Sequence, residues 1–269
     1  MKLLNYCKYS LFSMMMISLV AVASSTEADQ AKEQPKSQST SEEKASEDKQ
    51  KQPPPEKEEK KQKESSFVFP VYKPPMRGAP AGRLGGGTRG DAQHPRVCVL
   101  APDHVGFTVQ EQPCFYWYLS SLTSHPIEFT LIENRAINPV LEKRIPCPAQ
   151  PGIQKISLEN LSEGVSLRKG FRYKWYVSII LDQDHRSKDI ISGADIELVS
   201  PDESLERKLE TADRTLLPHI YAEQGIWYDA VEAVSDLIEK HPGNSDLRKM
   251  RASLLEQVGL KGLEDPEGE

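Results

Sequence analysis

FRYKWYVSIIL, residues 171 to 181, has a period of two. Phe171, Tyr173, Trp175, Val177, Ile179 and Leu181 fall on one side of an extended chain, and Arg172, Lys174, Tyr176 and Ser178 on the other. Side chains alternate across a strand, so the pattern predicts a half-buried strand of an antiparallel sheet. Neighbouring segments repeat it. PIEFTLIE (126–133) alternates Ile127, Phe129 and Leu131 with Glu128 and Thr130, and PCFYWYL (113–119) sets Phe115, Trp117 and Leu119 on one side. Tyr116, Tyr118 and Tyr176 lie on the opposite side and are the aromatics expected at the surface. RVCVLAP (96–102), INPVLEKRI (137–145), GIQKISL (152–158) and DIISGADIELV (189–199) read as further strands. Turn signals divide them at Ser124-His125-Pro126, Pro151-Gly152 and Arg168-Lys169-Gly170. Short strands at this spacing over residues 95–200 predict a mainly β domain, an immunoglobulin- or fibronectin-like antiparallel β-sandwich.

After Pro201 the apolar period becomes helical. Leu205, Leu209, Leu216 and Ile220 form one stripe, which Pro218 is expected to kink or divide. Trp227, Ala230, Val231, Val234 and Ile238 form a second, and a third helix runs from a Ser245 cap to Gly259. Residues 201–262 are thus expected to be a three-helix cap, and 263–269 a disordered tail.

Toward the N-terminus the character changes again. Lys2 and Lys8 precede an apolar run, Leu11 to Val22, which ends in the small-residue site Ala21-Val22-Ala23. This is the anatomy of a secretory signal peptide, residues 1–23, cleaved near Ala23. The run is shorter than the roughly 20 residues of a membrane span, so no stable membrane insertion is expected after cleavage. The expected location is periplasmic or secreted. Residues 24–66 hold nine lysines and eleven acidic residues, with no aromatic and no apolar residue larger than alanine, and read as a disordered charged linker. Residues 67–94 are a Pro/Gly-rich lead-in, whose FVFPVYKPP is expected to add an edge strand.

Without its leader the chain carries 32 basic and 40 acidic side chains, which argues against nucleic acid as a partner. From Pro201 onward there are sixteen acidic and eight basic residues, so the helical part carries this excess. Cys98, Cys114 and Cys147 remain, and an oxidising compartment permits one disulfide among them, its pairing open, while three buried thiols is the equal alternative.

GAPAGRLGGGTRG (78–90) invites a phosphate reading. The glycine spacing suits a Walker A loop, but the lysine is missing and a strand follows instead of a helix. Consecutive glycines still let backbone N–H groups converge on a ligand, so Arg83, Gly85, Gly86, Gly87, Thr88 and Arg89 are a candidate ligand or partner loop. The structural alternative is a loop packed closely on the sandwich, its arginines pinned to acidic residues. DQDHRSKDIISG (182–193) has Asp182 and Asp184 where a calcium loop needs them, but Arg186 at the third ligand position, Ser187 in place of the turn glycine and Gly193 in place of the closing glutamate, and reads as a hairpin turn. The six histidines have no zinc spacing, no G-x-S-x-G occurs, and no catalytic residue, metal ligand or cofactor site is assigned.

Two resemblances add to this. YAEQGIWYDAVEAVSDLIEKHPGN (221–244) resembles a tetratricopeptide unit, with Gly225 at the inter-helix turn and Pro242 after the second helix. One unit cannot bury its own apolar face, so it would dock on the sandwich as a cap. More widely, the glycine loop, CFYWYL, FRYKWYVSIIL, DQDHRSKD, GIWYDAV and LLEQVGL, in that order, resemble the bacterial exported family called domain of unknown function 928, over about residues 76 to 262. The resemblance implies export from a bacterial cell. It brings no activity, substrate or catalytic residue. The expected function is a non-enzymatic binding or assembly module of the periplasm or cell envelope, its partner a protein or other envelope component. The alternatives are an envelope enzyme whose site forms only in the fold near the glycine loop, and a purely structural envelope component.

Overall fold

The alternating segments form eight strands: β1 (Val97–Val99), β2 (Gly106–Thr108), β3 (Cys114–Leu119), β4 (Ile127–Glu133), β5 (Leu141–Ile145), β6 (Gly152–Ser157), β7 (Arg172–Ile179) and β8 (Ile190–Leu198). They come from a computed structural model, which describes residues 68–75, 82–85 and 94–263. The leader assigned to 1–23, the linker assigned to 24–66 and the tail from 264 lie outside the described residues, whereas Leu263 is buried in the core.

Two sheets result. One has the order β1-β3-β6, the other β2-β8-β7-β4-β5. The register of the second places Trp175 between Leu131 on β4 and Ala194 on β8, and Val177 opposite Phe129. Tyr173, Trp175, Val177 and Ile179 are buried with Ile127, Phe129 and Leu131, as the alternation predicts. The inner faces meet through Phe115 of β3, whose ring centroid lies 4.8 Å from Trp175 and 5.1 Å from Phe129. Phe171 falls outside β7 and lies exposed beneath the Arg168 guanidinium, and Leu181 follows the strand's end.

An entirely antiparallel arrangement does not hold. β2 pairs with β8 in parallel, Gly106 opposite Ile196 and Thr108 opposite Leu198. Three residues are too few to show a period, and a parallel neighbour has no hairpin turn to announce it.

Past the sheets come four longer helices instead of three: α2 (Glu203–Thr211), α3 (Leu217–Glu223), α4 (Trp227–Lys240) and α5 (Ser245–Gln257); a one-turn helix, α1 (Leu158–Leu161), follows β6. The first expected helix divides before Pro218. Asp213 caps a 3-10 turn at Arg214–Leu216, and Pro218 stands in the first turn of α3, where a missing N–H costs nothing. Asn244, not Ser245, caps α5, its side chain accepting from the Asp246 N–H.

The helices are not an appendage. α4 buries nine residues, among them Trp227 and Tyr228. The Tyr228 hydroxyl accepts from Trp175 Nε1 at 2.8 Å and donates to the Asp195 carbonyl at 3.1 Å, and its ring stands 6.0 Å from Phe115. Trp227 Nε1 donates to the Leu100 carbonyl at 2.9 Å. Sheets and helices thus share one hydrophobic core across the expected boundary at residue 200. Gly106 makes this approach possible: a Cβ there would stand 2.6 Å from the Tyr228 ring.

Of the FVFPVYKPP segment, the described residues 68–75 form no strand. Its prolines leave few donors, and two of those bind the helical part: Tyr72 N–H to Gln257 Oε1 at 2.8 Å, and Lys73 N–H to the Ala222 carbonyl at 3.0 Å. The Tyr72 ring meets Trp227 edge-on at 4.9 Å.

Candidate binding groove

The outward side chains of the five-stranded sheet form rows fixed by strand register. One row runs Glu142, Thr130, Tyr176, Gly193 across β5, β4, β7 and β8; the next runs Arg144, Glu128, Ser178, Ile191. Over this face lies a groove of about 500 Å³, within the usual range for a small-ligand site. Glu128, Thr130, Glu142, Tyr176, Ser178 and Ile191 form its floor, with Leu84, Gly85 and Arg186 around them.

Each wall has a local cause. Leu84 forms an isolated antiparallel bridge to β8: its N–H donates to the Gly193 carbonyl at 2.9 Å, and its carbonyl accepts from Gly193 N–H at 3.2 Å and from Ser192 Oγ at 3.0 Å. The Tyr176 ring lies across Gly193, where a Cβ would come within 2.3 Å of it and 2.8 Å of the Trp175 carbonyl oxygen. Opposite, Arg186 donates to Glu128 Oε1 at 2.7 Å and to Asp189 Oδ2 at 2.5 Å. These two bonds, Glu128's first, raise the guanidinium's pKa further, so Arg186 is a fixed cation matched by two acids. Burial, then the Asp195 charge, raises the Tyr176 pKa, so its phenol stays protonated and can donate.

The floor carries unused hydrogen-bonding capacity. Ser178 is 5 % exposed, and its hydroxyl finds no partner among the described residues. The Thr130 and Tyr176 hydroxyls also lack one among those residues. These hydroxyls face the groove, where water or a ligand can complete their hydrogen bonds.

Residues 84–266 match the profile of a family described as a Domain of Unknown Function, DUF928. The chain belongs to this family. No curated protein matches it. The match begins at Leu84, so the bridge that walls the groove is inside the DUF928 region, and the proline-rich segment at 68–75 is outside it.

The predicted loop residues of this DUF928 protein divide. Gly85 lines the groove. Arg83 is pinned, but to backbone carbonyls, Ala101 at 2.9 Å and Val258 at 3.3 Å, rather than to acidic residues. Gly86, Gly87, Thr88 and Arg89 lie outside the described residues. The three cysteines are all free thiols, Cys98 half-buried, Cys114 buried and Cys147 exposed. Burial pushes the Cys98 thiol up, and pushes Cys114 up to about 12, with Glu232 adding to the second shift, so neither is a ready nucleophile.

The calcium-like turn is internally neutralised. Asp182 accepts from Lys188 at 2.9 Å, from His185 at 2.8 Å and from the Asp184 N–H, contacts that hold its carboxyl below its ordinary range, the lysine first. Among the described residues no group of three or more His, Cys, Asp or Glu is placed to hold a metal, and no helix is long and apolar enough to cross a membrane.

A second polar cluster had no sequence signal. Asp229 of α4 is 1 % exposed, its Oδ2 accepting from the Val109 N–H at 3.2 Å and its Oδ1 without a partner among the described residues. Burial pushes its carboxyl up to about 7. One turn on, Glu232 accepts from Gln110 Nε2 at 2.7 Å. Both acids clamp α4 to the residues that follow β2, and only recognition of that strand would have drawn attention to them.

Proposed function

We propose that this DUF928 protein is an exported, non-enzymatic binding module of the bacterial envelope and that the groove on its five-stranded sheet is the ligand site. One observation carries the reading: hydroxyls on adjacent strands converge, without partners among the described residues, on a single recess beside the Leu84 bridge. The leader anatomy at 1–23 supports export. Among the described residues neither histidine nor cysteine lines the recess, and Glu128 is tied to Arg186, so this lining offers a set of orienting groups instead of an acid–base pair. We read the paired sheets as a variant of the immunoglobulin-like sandwich. We read α3 and α4, turning at Gly225 with φ +73°, as a tetratricopeptide-like pair used for support.

The test is capture from envelope extract by the purified protein and by two groove variants, Ser178→Trp, which fills the floor, and Glu142→Arg, at the exposed rim. The wild type should retain an envelope component that both variants lose while keeping the wild-type melting curve. Capture indifferent to both substitutions would remove the groove from the function. Amino-terminal sequencing of the protein recovered from the periplasm should begin just after Ala23.

A further inference from the structure

The lining also specifies the chemistry of an occupant. Two carboxylates, Glu128 and Glu142, face one guanidinium, and Arg186 is already bound by Glu128 and by Asp189, whose side chain is 1 % exposed. Among the described lining residues an anion would meet more carboxylates than guanidinium, and that guanidinium is already paired, so phosphates, nucleotides and carboxylate ligands are disfavoured. The apolar part of the lining is Leu84, Ile191 and the Tyr176 ring, which packs against Gly193. Around it stand the hydroxyls of Thr130, Ser178 and Tyr176 and the carboxylate of Glu142. Hydroxyls both donate and accept, carboxylates accept two hydrogen bonds, and an aromatic face takes an apolar ring face. Only a ligand rich in alternating O–H groups with one C–H face uses all of these together.

We propose that the groove binds an uncharged sugar unit of an envelope or extracellular glycan, its ring stacked on Tyr176 and Ile191 and its hydroxyls shared among Ser178, Thr130, Glu142 and Glu128. The proposal rests on the reading that the groove is the ligand site. At the rim, Leu84 is held by its bridge to Gly193, and Gly85 leaves the space beside it open.

Isothermal titration calorimetry on the purified chain tests it, with four probes: neutral oligosaccharides of glucose and of N-acetylglucosamine, an oligogalacturonate of equal length, and a lysine-rich peptide. At least one neutral oligosaccharide should bind with a dissociation constant between micromolar and millimolar, and the oligogalacturonate at least tenfold more weakly. Tyr176→Ala should weaken binding about five- to tenfold, Tyr176→Phe less, and Glu142→Gln, at an exposed position, should weaken it while leaving the fold untouched. Binding of the peptide but no saccharide, equal binding of the anionic sugar, or saccharide binding indifferent to both Tyr176→Ala and Glu142→Gln would overturn it. Failure of the broader reading looks different. If Ser178→Trp abolishes envelope capture but no saccharide competes for it, the groove remains the site and the sugar class falls; if capture is also unaffected, both fall.

Discussion

The outward face of β3 lies under a helix, and the outward face of β7 lies under a groove. On β3, Tyr116 is 3 % exposed: Lys155 Nζ sits 5.8 Å above its ring and binds Asp236 of α4 at 3.0 Å, with Glu239 3.7 Å away. On β7, Tyr176 stays accessible at the groove floor. The two strands share one alternation, and both tyrosines stand on its outward side. Alternation decides which side chains leave the inner face. What they meet there is decided by α4, whose Trp227 and Tyr228 enter the core and draw its acidic turns, Glu232 and Asp236, over the three-stranded sheet.

The sharpest way to break that contrast is Tyr228→Ala. It removes a ring packed between Phe115 and Trp175 and strands the Trp175 N–H, so the expected loss is about 3–5 kcal/mol by urea denaturation. Thr130→Ala, on the open face, should stay within about 0.5 kcal/mol. Near-equal losses would mean that the helices are an appendage and that α4 does not organise the covered face.

The covered face should also respond to pH. Burial raises the Asp229 carboxyl to about 7 in the folded protein, from the ordinary aspartate value of 3.8. The folded state therefore holds a proton that the unfolded chain releases. This stabilisation is complete below about pH 4, declines as pH rises toward 7 and is gone above it, an effect of up to about 4 kcal/mol. Asp229→Asn keeps an acceptor and removes the titration. The difference in urea midpoint between wild type and variant should change steadily from pH 4 to pH 7 and level off beyond. A pH-independent difference would show that Asp229 is ionised in place, held by the Val109 N–H.

Much of this contrast was legible beforehand, and its limits have physical causes. Ile127, Phe129 and Leu131, and Tyr173 through Ile179, read correctly because a two-residue period survives whatever packs against it. β2 did not, because its stability comes from a parallel partner about ninety positions away. The alternation alone puts Tyr116 at the surface, because nothing within β3 encodes the arrival of α4. The alternation places Glu128 on the outward side, yet it is nearly buried, since Arg186 comes over it from the turn before β8. One signal for the groove was present. Gly193 interrupts an otherwise β-favouring run, and an isolated glycine in a strand marks close approach by something else. Here the visitors are the Tyr176 ring and the Leu84 backbone.

Gly193 therefore gives the finest test of the open face. An added methyl would meet Tyr176 Cδ1 at 2.3 Å, contact that a ring can relieve by rotating, and the Trp175 carbonyl oxygen at 2.8 Å, contact that the sheet cannot relieve cheaply. Gly193→Ala should cost about 1–3 kcal/mol. In a Tyr176→Ala background the first clash is gone and only the second remains, so the same substitution should cost about 1 kcal/mol less, a coupling that a double-mutant cycle resolves. The single Gly193→Ala variant should also lose groove binding more than stability, because the displaced ring leaves the floor. Additive losses, with the groove's ligand still bound by Gly193→Ala, would place the Tyr176 ring elsewhere and separate the glycine from the site.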